Sequence, residues 1–150
     1  MLTDLVLAAF HHLLFFGLIS MLVTQSVMLR GRIDGTTLAR LGGIDRGYGI
    51  TAVLLLVVGL LRVFYGIKGY DFYLHNPWFH AKIGAFVLVA VLSIWPTVRF
   101  LRWRKALKAD PHFIPSTTEV CGLQRIIRFE LALIAVIFIC AAAMARYGGF

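Results

Sequence analysis

Four long apolar blocks constrain the fold of this chain more than any other feature. A transmembrane helix needs about 20 predominantly apolar residues. The charged fraction is only 15%, against about 25% in soluble domains. The predicted spans cover residues 5–29, 48–67, 78–101 and 127–146. The sequence therefore predicts an all-α fold, an antiparallel four-helix transmembrane bundle in which residues 1–150 form a single integral membrane domain.

Basic residues are concentrated in two connections on the same side of the predicted bundle. These connections and the adjoining helix ends carry 11 of the 15 basic residues: Arg30, Arg32, Arg40, Arg46, Arg99, Arg102, Arg104, Lys105, Lys108, Arg125 and Arg128. The positive-inside rule places this side in the cytoplasm and both termini outside, which suits the inner membrane of a bacterium. The basic residues flank apolar segments instead of forming a groove with interleaved aromatic residues. The predicted partner is therefore the lipid bilayer and not a nucleic acid.

The connections between spans are predicted to be less regular than the spans. Residues 30–46 are predicted as a solvated basic loop, in which Asp34 offers a cap for a short amphipathic turn. Residues 68–77 carry Tyr70 and Tyr73. Such residues are typical of the aromatic belt at a membrane surface, and a lid over a flat ligand is the alternative.

Two ionisable residues, Arg62 and Glu130, have roles that the pattern leaves open. Arg62 shares a helical face with Gly59 and other small residues, which let membrane helices approach closely. Its guanidinium either extends to the membrane surface or holds a carboxylate or another anionic group. We expect Glu130 to pair with Arg125 or Arg128 at the interface, and the alternative is a proton carrier inside the bundle.

Polar residues at the outer ends of the spans form the candidate functional site. The antiparallel order brings to this level His11, His12, Arg62, Tyr65, His80, Lys82 and Arg146. Cofactor and metal sites of bundles are built from side chains on facing helices. Imidazoles from two helices can be axial ligands of a haem iron, so His11 and His80 are the predicted metal ligands. Arg62 and Lys82 would suit the anionic propionates.

Helical periodicity assigns these residues to faces. On an ideal helix His11 falls within an arc of about 60° with Asp4 and Gln25, whereas His12 lies about 100° from His11. His11 should therefore face the bundle and His12 should lie at the margin of the polar face. His80 and Lys82 point about 200° apart, so both can face one pocket only if their helix packs between two partners.

Short segments of the chain resemble known bacterial membrane proteins. Trp78-Phe79-His80-Ala81-Lys82 resembles the Trp-x-His-Ala-Lys segment of the HemJ-type protoporphyrinogen oxidases, and Ala9-Phe10-His11 resembles the start of their first span. The whole chain resembles more closely an uncharacterised group of bacterial four-span proteins. The segments shared with that group are His11-His12, Leu60-Leu61-Arg62-Val63-Phe64, Tyr73-Leu74-His75-Asn76-Pro77 and Arg99-Phe100-Leu101-Arg102-Trp103-Arg104.

The HemJ resemblance implies that haem b is bound through His11, His80 and Lys82. The predicted function is a haem-b-binding membrane oxidoreductase that acts on protoporphyrinogen or passes electrons to a quinone. A porphyrin or a quinone is therefore the predicted small-molecule partner. Two alternatives stay open. One is a non-catalytic membrane subunit whose polar cluster only fixes helix packing. The other is a small metal-ion permease similar to the CopD-type proteins. A homo-oligomer is compatible with all three.

Overall fold

The computed structural model describes residues 2–65 and 69–146, and these residues form four long helices and one short one. The helices are α1 (Leu2–Met28), α2 (Gly35–Tyr65), α3 (Gly69–Leu74), α4 (Pro77–Ala109) and α5 (Thr117–Arg146). Each of the four long helices is long and apolar enough to cross a membrane. The predicted all-α bundle is confirmed. Gly66 and Ile67, at the end of the second predicted span, lie outside the described residues.

The four long helices form a ring in which each one has two neighbours. α1 pairs with α2 and α4 pairs with α5 as antiparallel hairpins, while α2 packs on α4 and α1 on α5. The core side chains include Leu18, Leu22, Leu55, Val89, Phe100, Leu123, Ile127, Ile134 and Ile137. Large apolar side chains also cover the outside: Phe16 is 69% exposed and Ile139 is 62% exposed. Such a surface suits hydrocarbon and not water, so the fold is that of a multi-pass integral membrane protein.

The helices extend further than the predicted spans at the end where the 29–34 and 110–116 connections lie, which we call the basic end. The prediction of a solvated loop over residues 30–46 is wrong, because α2 begins at Gly35 and buries Leu38 and Leu41. The predicted cap is confirmed: the Thr37 backbone N–H donates to Asp34 Oδ1 at 2.7 Å. This bond holds the pKa of the exposed Asp34 carboxyl below its ordinary value.

Side-chain contacts join the hairpins at the basic end. Arg99 of α4 forms an ion pair with Glu119 of α5, and its guanidinium lies 5.1 Å from the centre of the Trp95 ring. Gln124 Nε2 donates to the carbonyl of Leu29 at 2.6 Å. That bond satisfies a carbonyl left without a helical partner just after the end of α1. The opposite end, at which α1 and α4 begin and α2 and α5 end, we call the histidine end.

Candidate functional site

A cavity of about 400 Å³ lies at the histidine end, and all five helices contribute to its wall. Most of the wall is apolar, with Phe86 and Phe138 among its aromatic side chains. The side chains with polar groups that line it are His11, His12, Arg62, Tyr73 and Lys82. A mainly apolar pocket with a few convergent polar groups is the usual form of a small-molecule site.

His11 reaches the cavity from α1 because α2 has a glycine opposite it. A Cβ atom at position 59 would lie 3.2 Å from His11 Cε1, so Gly59 leaves room for the imidazole against the α2 backbone. His11 Nδ1 is buried and has no hydrogen-bond partner among the described residues. The expectation that His11 faces the bundle agrees with this position.

Two cations share the cavity with His11. Arg62 of α2 and Lys82 of α4 are close enough for their charges to act on the imidazole, and Arg62 Nε is buried without a partner among the described residues. Lys82 Nζ lies 5.9 Å from the centre of the Phe79 ring. None of the described residues that line the cavity is an aspartate or a glutamate. The site therefore gathers positive charge from separate helices without a carboxylate to balance it.

His12 also lines the cavity, although its ring is exposed. Its Nδ1 lies 2.6 Å from the carbonyl oxygen of Ala8. Because a carbonyl only accepts, Nδ1 carries the hydrogen, and Nε2 of the neutral ring is left with a free lone pair. The structure thus brings both histidines of α1 to one cavity, with His11 inside the bundle and His12 at the rim.

His80 does not line the cavity. Its ring is exposed, and its Nε2 lies 2.8 Å from the carbonyl oxygen of Leu74 at the end of α3. Asn76 sets this register, because its side chain accepts from the Trp78 backbone N–H at 3.0 Å and α4 begins at Pro77. Lys82 faces the cavity and His80 does not, in line with their expected angular separation. Of the other predicted residues, Tyr65 and Arg146 are exposed and line no part of the cavity.

The short helix α3 covers the histidine end. Tyr73 is buried, lines the cavity and has its ring centre 5.4 Å from that of Phe79. Burial raises the pKa of its hydroxyl above the ordinary value. Tyr70, in contrast, is exposed. For Tyr73 the position agrees with the lid interpretation, which the sequence offered as an alternative to an aromatic belt.

A second group of polar side chains lies closer to the basic end, and of its members the sequence had singled out only Glu130, with a proton carrier inside the bundle as the alternative role. Glu130 is only 1% exposed, and its Oε1 lies 2.7 Å from Ser93 Oγ. The expected pairing with Arg125 or Arg128 is wrong: Arg128 Nε donates instead to the carbonyl of Gln124. Because α5 begins at Thr117, Glu130 lies near the middle of its helix, where it is buried against α4.

An apolar layer separates this group from the cavity. A smaller cavity of about 320 Å³ is lined by the hydroxyl-bearing residues Tyr48, Ser93 and Thr97 among others. Both cavities share four apolar lining side chains, which we call the apolar layer: Phe15, Leu55, Phe86 and Ile137. No hydrogen bond found among the described residues crosses from one polar group to the other.

Comparison with known proteins gives a family and nothing finer. No curated protein and no solved structure matches the chain. One family, described as "Predicted membrane protein (DUF2214)", matches residues 3–149, which include every residue of the cavity wall. With its four helices of transmembrane length and its exposed apolar surface, the chain belongs to the DUF2214 family of predicted membrane proteins.

Proposed function

We propose that the protein binds an anionic ligand with a large apolar body, namely haem b, in the cavity at the histidine end. One observation carries the proposal: His11, Arg62 and Lys82 converge from three helices on a cavity whose described lining residues include no carboxylate. Like charges gathered in a largely apolar wall repel one another and lose hydration. An anion in the cavity removes both costs.

The unpaired atoms support an anion in particular. Arg62 Nε is a buried donor without a partner among the described residues, and an unpaired buried donor is costly. The guanidinium offers parallel N–H groups that match a carboxylate or a phosphate. Lys82 adds a second cation from the neighbouring helix α4. Together they suit a ligand with two carboxylates better than a neutral molecule.

The imidazoles and the apolar wall make haem the specific candidate. His11 Nδ1 is buried and unpaired, so it is free to ligate iron, while Arg62 and Lys82 would hold the propionates. His80 would become a second ligand only if its ring left the Leu74 carbonyl; its assignment stays a prediction. Haem, when bound, supplies a reversible one-electron centre. The protein would then be a membrane oxidoreductase with protoporphyrinogen or a quinone as its reaction partner, as the resemblance to HemJ implies.

The side of the membrane follows from the basic end. Under the positive-inside rule, the 11 basic residues near that end would face the cytoplasm. The cavity would then open towards the outer side of a bacterial inner membrane.

The test is a titration of the purified protein in detergent with haem and, separately, with iron-free protoporphyrin, which has the same two carboxylates. We expect both to bind and haem to give a Soret band that His11→Ala loses or shifts. The matched control is His75→Ala, because that ring is exposed, does not line the cavity and forms a hydrogen bond with the Asp71 carbonyl. His12→Ala decides which imidazole of α1 ligates the iron.

Other outcomes would support other functions. If protoporphyrin binds and His11→Ala leaves the Soret band unchanged, the cavity holds an anionic porphyrin without iron ligation by His11. If neither molecule binds, haem is excluded and a non-catalytic membrane subunit is favoured. A metal-ion permease has less support, because no group of three or more His, Cys, Asp or Glu that could hold a metal is found within residues 2–65 and 69–146.

A further inference from the structure

A buried polar group formed by all four long helices lies on the basic-end side of the apolar layer. We call it the carboxyl cluster, and its members are Gln25 of α1, Asp45 and Tyr48 of α2, Ser93 and Thr97 of α4, and Glu130 of α5. Gln25 is 1% exposed, Asp45 8% and Glu130 1%. None of its members lines the cavity at the histidine end, so the cluster is a separate feature.

Within residues 2–65 and 69–146, no cation forms an ion pair with either carboxyl group of the cluster. The ion pair identified among the described residues joins Arg99 to Glu119 and does not involve the cluster. The titratable groups that face Glu130 are Asp45 and Tyr48, both on α2. Burying two unbalanced negative charges inside a membrane bundle is expensive, and such residues usually mark proton or ion pathways.

The contacts of Ser93 indicate which carboxyl group is neutral. Ser93 Oγ lies 2.8 Å from the Val89 carbonyl oxygen, 2.7 Å from Glu130 Oε1 and 3.2 Å from the Tyr48 hydroxyl. A carbonyl and an ionised carboxylate only accept, and a serine hydroxyl has one hydrogen to donate. With Glu130 ionised, either the carbonyl or the carboxylate would face a lone pair. With Glu130 protonated, all three contacts are hydrogen bonds. The Glu130 and Tyr48 hydroxyls donate to Ser93 Oγ, and the Ser93 hydroxyl donates to the Val89 carbonyl.

Asp45 lies next to this arrangement, and the Gln25 amide near it is a donor without a hydrogen bond. Thr97 Oγ1 donates to Asp45 Oδ1 at 3.2 Å. The Gln25 amide is directed at Asp45, yet its Nε2 is buried and makes no hydrogen bond of normal geometry with any described residue. The buried amide of Gln25 therefore leaves one donor for a further acceptor, such as a water molecule.

We infer that Glu130 is a proton-binding site inside the membrane, which exchanges its proton with the basic end through Asp45. In the release step the O–H bond of Glu130 breaks and an O–H bond forms on the Asp45 carboxylate. To pass the proton on, the Ser93 hydroxyl turns from the Val89 carbonyl and the Tyr48 hydroxyl turns from Ser93, and a water molecule beside the unpaired Gln25 amide completes the path to Asp45. One proton leaves and one arrives, so no further reactant is needed. Asp45 precedes Tyr48 by three residues, which places it about one helical turn closer to the basic end.

Infrared difference spectroscopy on the full chain in phospholipid vesicles at neutral pH tests the inference. We expect the carbonyl absorption of a protonated carboxylic acid, which Glu130→Gln removes. Glu119→Gln is the matched control on the same helix, since Glu119 lies outside the cluster and forms an ion pair with Arg99. Ser93→Ala should move the band without removing it, because it takes away the partner and not the acid.

Isotope exchange tests the route. In D2O the band should move to lower frequency as Glu130 exchanges its proton, and Asp45→Asn should slow that exchange. Absence of a band that depends on Glu130 would overturn the inference. So would a band that never exchanges, which would make Glu130 a structural hydrogen-bond donor. Loss of the band on adding sodium ions would show that the oxygens of the cluster bind a cation instead.

Discussion

The cavity at the histidine end and the carboxyl cluster are both polar regions inside one bundle, and they differ in sign and in pairing. The cavity holds His11, Arg62 and Lys82 and leaves His11 Nδ1 and Arg62 Nε without partners among the described residues. The cluster holds two carboxyl groups, and hydroxyl groups of neighbouring helices bond to both. The first region has unpaired groups around a cavity of about 400 Å³, whereas the second has mostly paired groups beside a cavity of about 320 Å³.

The difference indicates what each region can hold. Unpaired groups around about 400 Å³ of mainly apolar space recover their hydrogen bonds only from a ligand that enters from outside. Carboxyl groups already joined to hydroxyls need only gain or lose a hydrogen. The same helices therefore offer a ligand site at one end and a proton site towards the other.

The largest effect concerns the side of the membrane that each region serves. A reporter fused after Phe150 should be active only outside the cytoplasm, and one inserted near Asp110 only inside, because the positive-inside rule places the basic end in the cytoplasm. The measurement is reporter activity in whole cells. The reverse pattern would turn the cavity towards the cytoplasm and the carboxyl cluster towards the outside.

The next largest effect concerns Arg62. Arg62→Met should weaken binding of protoporphyrin or haem by roughly 10- to 150-fold, since hydrogen bonds to charged groups contribute about 1.5–3 kcal/mol. Arg62→Lys keeps the charge but loses the planar fork. Its affinity for protoporphyrin or haem should therefore lie between those of the unchanged protein and of Arg62→Met. The measurement is ligand titration alongside thermal stability in detergent. Ser93→Ala, in the other region, should leave occupancy unchanged.

One result would contradict the role of Arg62 in binding an anion. Unchanged occupancy with lowered stability in both Arg62 variants would make this arginine a packing residue. The cavity would then lose its main anion-binding group.

The smallest effect concerns Ser93. Ser93→Ala should lower the free energy of unfolding by about 1–3 kcal/mol, because it leaves the buried Glu130 carboxyl without its partner. Ser20→Ala is the matched control, since that exposed hydroxyl bonds only to the Phe16 carbonyl of its own helix, and it should change the free energy by less than about 0.5 kcal/mol. Equal losses in both variants would show that the cluster does not stabilise the bundle.

The sequence predicted the bundle because hydropathy depends on residues close together in the chain. It also placed His11, Arg62 and Lys82 at one level, since an antiparallel order follows from four spans with short connections. The direction of His80 could not be predicted in this way. It depends on the Asn76 cap and on the carbonyl of Leu74, and periodicity alone gives neither the start of α4 nor the position of α3.

The carboxyl cluster was missed for a different reason. Glu130 has arginines two and five residues before it, so a local reading pairs it with them. Its actual partner, Ser93, lies 37 residues away on α4, and a serine in an apolar span gives no signal. The buried positions of Leu38 and Asp45 could have been found, because they continue the helical spacing of Leu41 and Tyr48 towards Asp34.

The apolar layer of Phe15, Leu55, Phe86 and Ile137 has an electrical consequence. Its four side chains carry neither charge nor polar atoms, so part of a membrane voltage falls across this layer. Moving one charge through the full voltage changes its free energy by about 2.3 kcal/mol per 100 mV. A proton that moves only between Glu130 and the basic end never crosses the layer. The occupancy of Glu130 should therefore follow the pH of the compartment at the basic end, and the part of the voltage that falls across the layer should not change it.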